Sequence, residues 1–232
     1  MIVKVLASGS KGNSTLITTK NAKILIDVGL TTKELQKRLE DTNLTDIDAI
    51  IITHAHIDHI KGLAVIEKKY DIKIYTKENL DNPQTIKDIE ISHFNVSHDV
   101  PCIGLLIKNN NQELVYITDT GYINRKIISL TKNKDIYIIE SNHDEDMLIE
   151  GSYPFILKKR ISGDEGHLSN RQTTEYLKTV MGDKTKYIVL AHLSEENNTK
   201  DKAYDETNSI LRKTNIKLYV SMQDQALDEI KV

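Results

Sequence analysis

Thr53-His54-Ala55-His56-Ile57-Asp58-His59 gathers three of the chain's eight histidines and an aspartate into one short segment. Imidazole nitrogen with carboxylate oxygen suits zinc, manganese or iron, and the lack of cysteine nearby argues against a closed thiolate site. In an extended segment residues i and i+2 point the same way, so His54 and His56 can grip one ion. Where the chain turns into a helix, Asp58 and His59 face a second position. Four side chains cannot fill two coordination shells. Three further ligand-type residues each end an apolar, strand-like run: His98 after Phe94-Asn95-Val96, Asp119 after Val115 to Thr118, and His192 after Tyr187 to Ala191. The expected division is His54, His56 and His98 on one ion, Asp58, His59 and His192 on the other, with Asp119 as the bridge. Two divalent cations, Zn2+ or Mn2+, about 3.5 to 4 Å apart would lower the pKa of a bridging water to give a hydroxide nucleophile, and would stabilise charge on the attacked group and leaving oxygen. This is hydrolysis chemistry. Asp58 is the candidate to hold or accept the proton of that nucleophile.

The elements that must carry these residues are legible from hydrophobic patterning. Strands are expected at 2 to 7, 15 to 19 and 23 to 27, around a turn-rich loop Ser8-Gly9-Ser10-Lys11-Gly12-Asn13-Ser14. Thr31 or Thr32 caps a helix to about Glu40, and Asp48 to Thr53 is a buried strand that ends in the histidine cluster. A helix follows to Tyr70, with Ile60, Leu63, Ala64 and Ile66 as its apolar stripe. Strands near 73 to 75, 85 to 96, 102 to 108 and 113 to 118 precede a helix at 123 to 131 and a strand at 135 to 139. Helices at 143 to 149, 153 to 160, 169 to 181 and 200 to 213 surround strands at 187 to 191 and 216 to 220. The fold class is α/β, with two mixed β-sheets between helical layers, and ligands at strand ends are where such folds place their sites.

Nothing in the composition interrupts this single unit. Only three prolines occur among 232 residues, and no Ser/Gly-rich or single-sign charge run marks a linker, so residues 1–232 read as one domain. One cysteine, Cys102, rules out an internal disulfide and favours a reducing, cytoplasmic setting. No apolar run approaches the roughly 20 residues of a membrane helix. A net charge of −3 excludes a bulk polycation that coats nucleic acid by charge alone. A polyanionic substrate would need a local patch, for which Lys158-Lys159-Arg160, with Arg171 and Lys11, is the candidate.

With these motifs in view, the sequence resembles the metallo-β-lactamase superfamily. His54 to His59 match its HxHxDH signature, and Asp27 in Leu25-Ile26-Asp27-Val28-Gly29 fits its earlier motif. The resemblance spans most of the chain and implies the αββα sandwich of that superfamily, with Asp27 supporting the metal loop by hydrogen bonding. Leu6 to Ser14, Glu140-Ser141-Asn142-His143-Asp144 and Gly166-His167-Leu168-Ser169-Asn170 narrow the likeness to the bacterial YycJ (WalJ) group. That group is similar to the nuclease branch and is associated with metal-dependent 5′-to-3′ exonuclease action on DNA. The resemblance therefore implies a phosphodiester substrate, with His167 as general acid oriented by Glu140 or His143.

Ser10, Lys11 and Asn13 belong to a loop that could present N–H groups and a cation to a phosphate, although it is equally a tight turn. Asn170 is a further substrate-contact candidate, against its capping role beside Ser169. His93 reads as structural. The alternative is a small-molecule hydrolase of thioesters or lactones, because the same ligand set serves both substrate classes. His56 counts against a di-iron redox relative, which would carry glutamate there. A metal-bound scaffold that has lost its chemistry would be expected to lack some of the seven ligands. With ten tyrosines, two phenylalanines and no tryptophan, no separate aromatic platform for nucleic acid is evident. A DNA groove would have to come from the catalytic domain itself or from a homo-oligomer.

Overall fold

Alternation within short apolar runs decides the layering. In Ala49-Ile50-Ile51-Ile52, Ala49 and Ile51 join one buried cluster, while Ile50 and Ile52 join another on the opposite face of the same strand. Such a strand is covered on both sides. The computed structural model, which describes residues 1–232, accordingly has four layers, helices outside and two sheets back to back within.

The first sheet has the order β13-β1-β2-β3-β4-β5, built from β1 (Ile2–Ala7), β2 (Ser14–Thr18), β3 (Lys23–Ile26), β4 (Ala49–Ile51), β5 (Lys73–Tyr75) and β13 (Ile230–Lys231). β13, β1, β2 and β3 pair antiparallel, whereas β3, β4 and β5 run parallel. The second sheet has the order β12-β11-β10-β9-β8-β7-β6. Its strands are β6 (Gln84–Ile86), β7 (Ile89–Val96), β8 (Cys102–Asn109), β9 (Gln112–Ile117), β10 (Ile136–Glu140), β11 (Tyr187–Ala191) and β12 (Lys217–Val220). β9 to β12 are parallel and β6 to β9 antiparallel, so the second sheet is mixed as well.

Side chains from both sheets form the central core, among them Val5, Ile24 and Ile51 from the first and Leu105, Tyr116 and Ile138 from the second. α1 (Thr32–Leu39) and α3 (Leu63–Lys69) cover the first sheet through Leu35, Leu39 and Ile66. α4 (Arg125–Thr131), α7 (Asn170–Val180) and α8 (Lys200–Asn208) cover the second through Ile127, Leu177, Val180 and Ala203. α5 (Glu145–Glu150) and α6 (Phe155–Ile161) flank the open edge. No helix is long and apolar enough to cross a membrane.

Three expectations are corrected. The helix after the histidine cluster is two pieces, α2 (Ile57–Ile60) and α3, parted at Gly62, whose N–H donates to Val28 O at 2.8 Å. A Cβ at Gly62 would lie 2.6 Å from Leu30 O, so the chain passes too close for a side chain. The strand expected over 85 to 96 is a hairpin, turned at Lys87 with φ 52° and Ile86 opposite Ile89. α8 stops at Asn208, and turns occupy the rest of the expected helix.

Candidate metal centre and cleft

β1, β3, β4, β7, β9, β10 and β11 all end at one edge of the sandwich, and each end hands a side chain or loop to the same place. β3 delivers Asp27, β4 delivers Thr53 and the histidine cluster, β7 delivers His98, β9 Asp119, β10 Glu140 and β11 His192. The site therefore draws on both sheets. Asp27, Asp119 and His192 adopt left-handed backbone conformations, with φ of 60°, 56° and 55°. Such angles are unusual for residues other than glycine, and here they turn the chain sharply at the strand end so that the side chain enters the site.

His54, His56 and His98 offer ring nitrogens that lie close enough to share one ion, and the ligand-type atoms of Asp58, His59 and His192 do the same. Asp119 stands between the two groups. Its Oδ2 is 3.1 Å from His59 Nε2 and its Oδ1 is 3.5 Å from His192 Nε2, and it also groups with His54. All seven expected ligands are thus brought together. His54 Nε2 and His192 Nε2 are buried without a hydrogen-bond partner, a costly arrangement unless another group satisfies them. Orphaned nitrogens facing a carboxylate in a nest of imidazoles fit a cation.

The supporting contacts are more extensive than the ligands. Asp27, fully buried, accepts from Thr53 N–H at 2.8 Å and from Thr53 Oγ1, and its Oδ2 lies 2.8 Å from His59 Nδ1. That fixes the ring so that Nε2 faces the site. Burial works against a charge on His59, but the carboxylates of Asp27 and Asp119 overcome it and raise the imidazole to about 10. The same carboxylates would favour a metal ion in the proton's place. His54 is the opposite case: burial and the neighbouring His59 push it down to about 3, keeping it neutral and free to ligate.

Glu140 is buried completely at the end of β10. Its Oε2 lies 2.7 Å from His167 Nδ1 and 2.9 Å from His192 Nδ1, while Oε1 accepts from the N–H groups of Thr120 and Leu168 at 3.1 and 3.0 Å. Burial would raise this carboxyl, yet the two imidazoles hold it at about 2. His167 stands at the cleft wall, its ring 5.2 Å from that of His192 and 5.5 Å from that of His98. Burial lowers its proton affinity, and Glu140 more than restores it, so the net shift is upward.

The other sequence candidates divide. Asp58 and Ser10 line the cleft, a space of about 190 Å³ that also exposes His56, Asp119, His167 and His192. Asn13 is buried instead: its amide nitrogen lies 3.2 Å from Asp58 Oδ2 and 3.0 Å from His59 Nε2, which makes it a brace for the histidine loop and removes it from substrate contact. Lys11 points away, paired with Glu195 at 2.6 Å. Asn170 is buried in a polar cluster with Ser141 and Asn198, at 2.6 and 2.9 Å, and Ser169 caps α7. His143 makes no hydrogen bond to His167 or Glu140. Its Nδ1 is buried without a partner beside a different groove, and of the two expected partners only Glu140 contacts the His167 ring. His93 lies on β7, away from the cleft. Arg171 pairs with Glu145, so the basic patch is not one surface.

Three residues escaped the sequence reading. Asp99 Oδ1 is 3.3 Å from both His56 Nε2 and His98 Nε2, and its other oxygen accepts from Arg160 of α6. An acid directly after a candidate ligand was the available signal. Thr53 Oγ1 bonds to Asp27 and lies 3.1 Å from His54 Nδ1. Cys102 Sγ lies 3.6 Å from the same nitrogen, and burial drives its thiol well above the ordinary range, leaving it neutral.

Residues 7–88 match the family model of the Metallo-beta-lactamase superfamily, and residues 75–193 match that of the Beta-lactamase superfamily domain. The chain is 38% identical over 232 residues to "Exodeoxyribonuclease YycJ" of Bacillus anthracis, covering 89% of this chain and 88% of the relative. It is 39% identical over 227 residues to "Exodeoxyribonuclease WalJ" of Streptococcus pneumoniae serotype 2, covering 86% and 84%. Among solved structures, the metallo-beta-lactamase fold protein YhfI of Bacillus subtilis superposes with a TM-score of 0.68 at 17% identity, over 97% of this chain and 99% of that one. Human tRNase Z, short form, gives 0.64 at 14%, with both chains covered fully. These two likenesses concern the fold.

Proposed function

The chain belongs to the metallo-β-lactamase superfamily, and on that premise we propose that it is a metal-dependent exodeoxyribonuclease that degrades DNA from the 5′ end. The observation that carries the reading is the pairing of seven convergent ligand-type side chains with a histidine, His167, held at the cleft wall by Glu140. Likeness along nearly the whole chain to two curated exodeoxyribonucleases supports DNA as the substrate.

Two ions, Zn2+ or Mn2+, would be held by His54, His56 and His98 and by Asp58, His59 and His192, with Asp119 shared. Bound there, they would activate water and neutralise charge on the phosphoryl group. The chain's own groups do the rest. Glu140 pins His167 through Nδ1 and raises its proton affinity, leaving Nε2 to carry a proton to the leaving oxygen. Asp58, whose Oδ2 lies 3.6 Å from His192 Nε2 and which lines the cleft, would accept a proton from the attacking water. Asp27, Asn13 and Asp99 keep the imidazoles in register, and Ser10 lines the entrance.

The test is degradation of 5′-labelled and 3′-labelled linear duplex DNA by purified protein with Mn2+, with Zn2+ and after chelation, beside His56→Ala. Metal-dependent shortening from the 5′ end that the variant lacks is the expected result. If neither metal supports cleavage while a thioester or lactone panel turns over, the DNA assignment is wrong and the chain is a small-molecule hydrolase.

A further inference from the structure

α6 has two working faces. Leu157, Arg160 and Ile161 line the space beside His98 and His167, whereas Phe155, Lys158 and Lys159 turn to a separate groove of about 620 Å³, closed on its far side by Ile149 of α5. The spacing i, i+3, i+4 assigns each set to one side of the helix. At the first turn of α6 Phe155 and Ile156 are 78% and 83% exposed, and Ile149 opposite is 70% exposed. Large apolar side chains collected at one exposed place mark a contact surface.

Charge identifies the partner. Lys158 and Lys159 form no ion pair, Lys158 donating only to the carbonyl of Ile149, and the acid in the groove wall, Glu145, is neutralised by Arg171 at 3.0 Å. The groove is therefore cationic and apolar at once, in a protein whose net charge is −3. Cations interleaved with an exposed aromatic ring are the pattern that grips a single nucleic-acid strand, phosphates on the lysines and bases on the ring. The groove also lies next to the metal cleft, with only α6 between them.

Resting on the exonuclease reading, we propose that the α5–α6 groove holds the strand beyond the scissile phosphate, with one of its bases stacked on Phe155 and its phosphates on Lys158 and Lys159. Phe155 is exposed, so its replacement leaves the core intact. The groove thereby makes the enzyme's grip depend on substrate length.

The experiment compares wild type, Phe155→Ala and Phe155→Tyr, all metal-loaded, on a dinucleotide and on single strands of about four and about twelve nucleotides. For Phe155→Ala the expected result is a KM raised about tenfold on the longest strand with kcat kept, no change on the dinucleotide, and recovery in Phe155→Tyr. An unchanged KM on every length overturns the groove assignment while leaving the exonuclease reading standing. A rise of equal size on the dinucleotide also overturns it, as would sedimentation showing that Phe155→Ala converts a dimer to a monomer, which makes the face a contact between copies. If wild type degrades the labelled duplex but none of the single strands, the groove assignment falls and the exonuclease reading stands.

Discussion

Glu140 Oε2 stands 2.7 Å from His167 Nδ1, and the same oxygen lies 2.9 Å from Nδ1 of the candidate ligand His192. One buried carboxylate thus sets the orientation of both imidazoles, the proposed proton donor and the proposed ligand, and the two cannot be perturbed separately at this position.

Glu140→Gln keeps the shape but removes the charge, and an amide cannot accept from both rings while serving the N–H groups of Thr120 and Leu168. Loss of such an outer partner typically lowers activity or metal affinity about 10- to 100-fold. Turnover on labelled DNA and metal content by mass spectrometry should both fall. A variant with full metal content and full turnover would show that Glu140 is dispensable.

Gly29 is a steric requirement of the histidine loop. A Cβ there would lie 1.7 Å from Asp58 O and 2.5 Å from Asn13 N, where Asn13 N–H donates to Asp58 O at 2.7 Å. Gly29→Ala should displace Asp58 and destabilise the protein by about 1–3 kcal/mol or more, in the range of core overpacking. Metal titration combined with urea unfolding checks it, and wild-type values in both would refute the prediction.

Chelation should cost stability as well as activity, because the orphaned nitrogens of His54 and His192 lose whatever satisfied them. An ion present at about a thousandfold its dissociation constant contributes roughly 4 kcal/mol, which for a domain of this size corresponds to a fall in Tm of roughly 8–16 °C. Thermal melts with and without chelator measure it. A Tm that does not move would mean that no ion is bound to the native state.

His143 predicts a pH dependence independent of the ligands. Burial pushes this imidazole from 6.5 down to about 4, so the unfolded chain takes up its proton first as the solution is acidified. The contribution is present in full above 6.5 and is lost as pH falls from there through about 4. Denaturant unfolding of metal-free protein over that window should show stability dropping with pH, less steeply in His143→Gln; equal slopes in the two proteins would count against a neutral, buried His143.

How much of this was legible beforehand depends on what kind of signal each feature leaves. β4, β9, β10 and β11 announce themselves as β-branched runs, and the site residue at the end of each follows at once. The hairpin between β6 and β7 leaves no such mark, because Lys87-Asp88 lacks the asparagine or glycine that usually signals a tight turn. β13 is two residues long and exists only because β1 pairs with it. Asn13 and Asn170 looked like surface contacts in a sequence string, since burial of a polar side chain is a property of three-dimensional neighbours. The sharing of Glu140 between two histidines is of the same kind: its partners lie 27 and 52 residues away.

The drawing of ligands from both sheets has a consequence for how the protein is made. Emerging from the ribosome, the chain exposes the histidine cluster of β4 long before His192 at the end of β11 exists. The set of His54, His56 and His98 is complete before β11 is made, whereas the set of Asp58, His59 and His192 stays incomplete until β11 is synthesised and docked. The second position of a two-ion site is thereby postponed until β11 has docked, and a truncated or stalled product that stops short of β11 lacks half of that site.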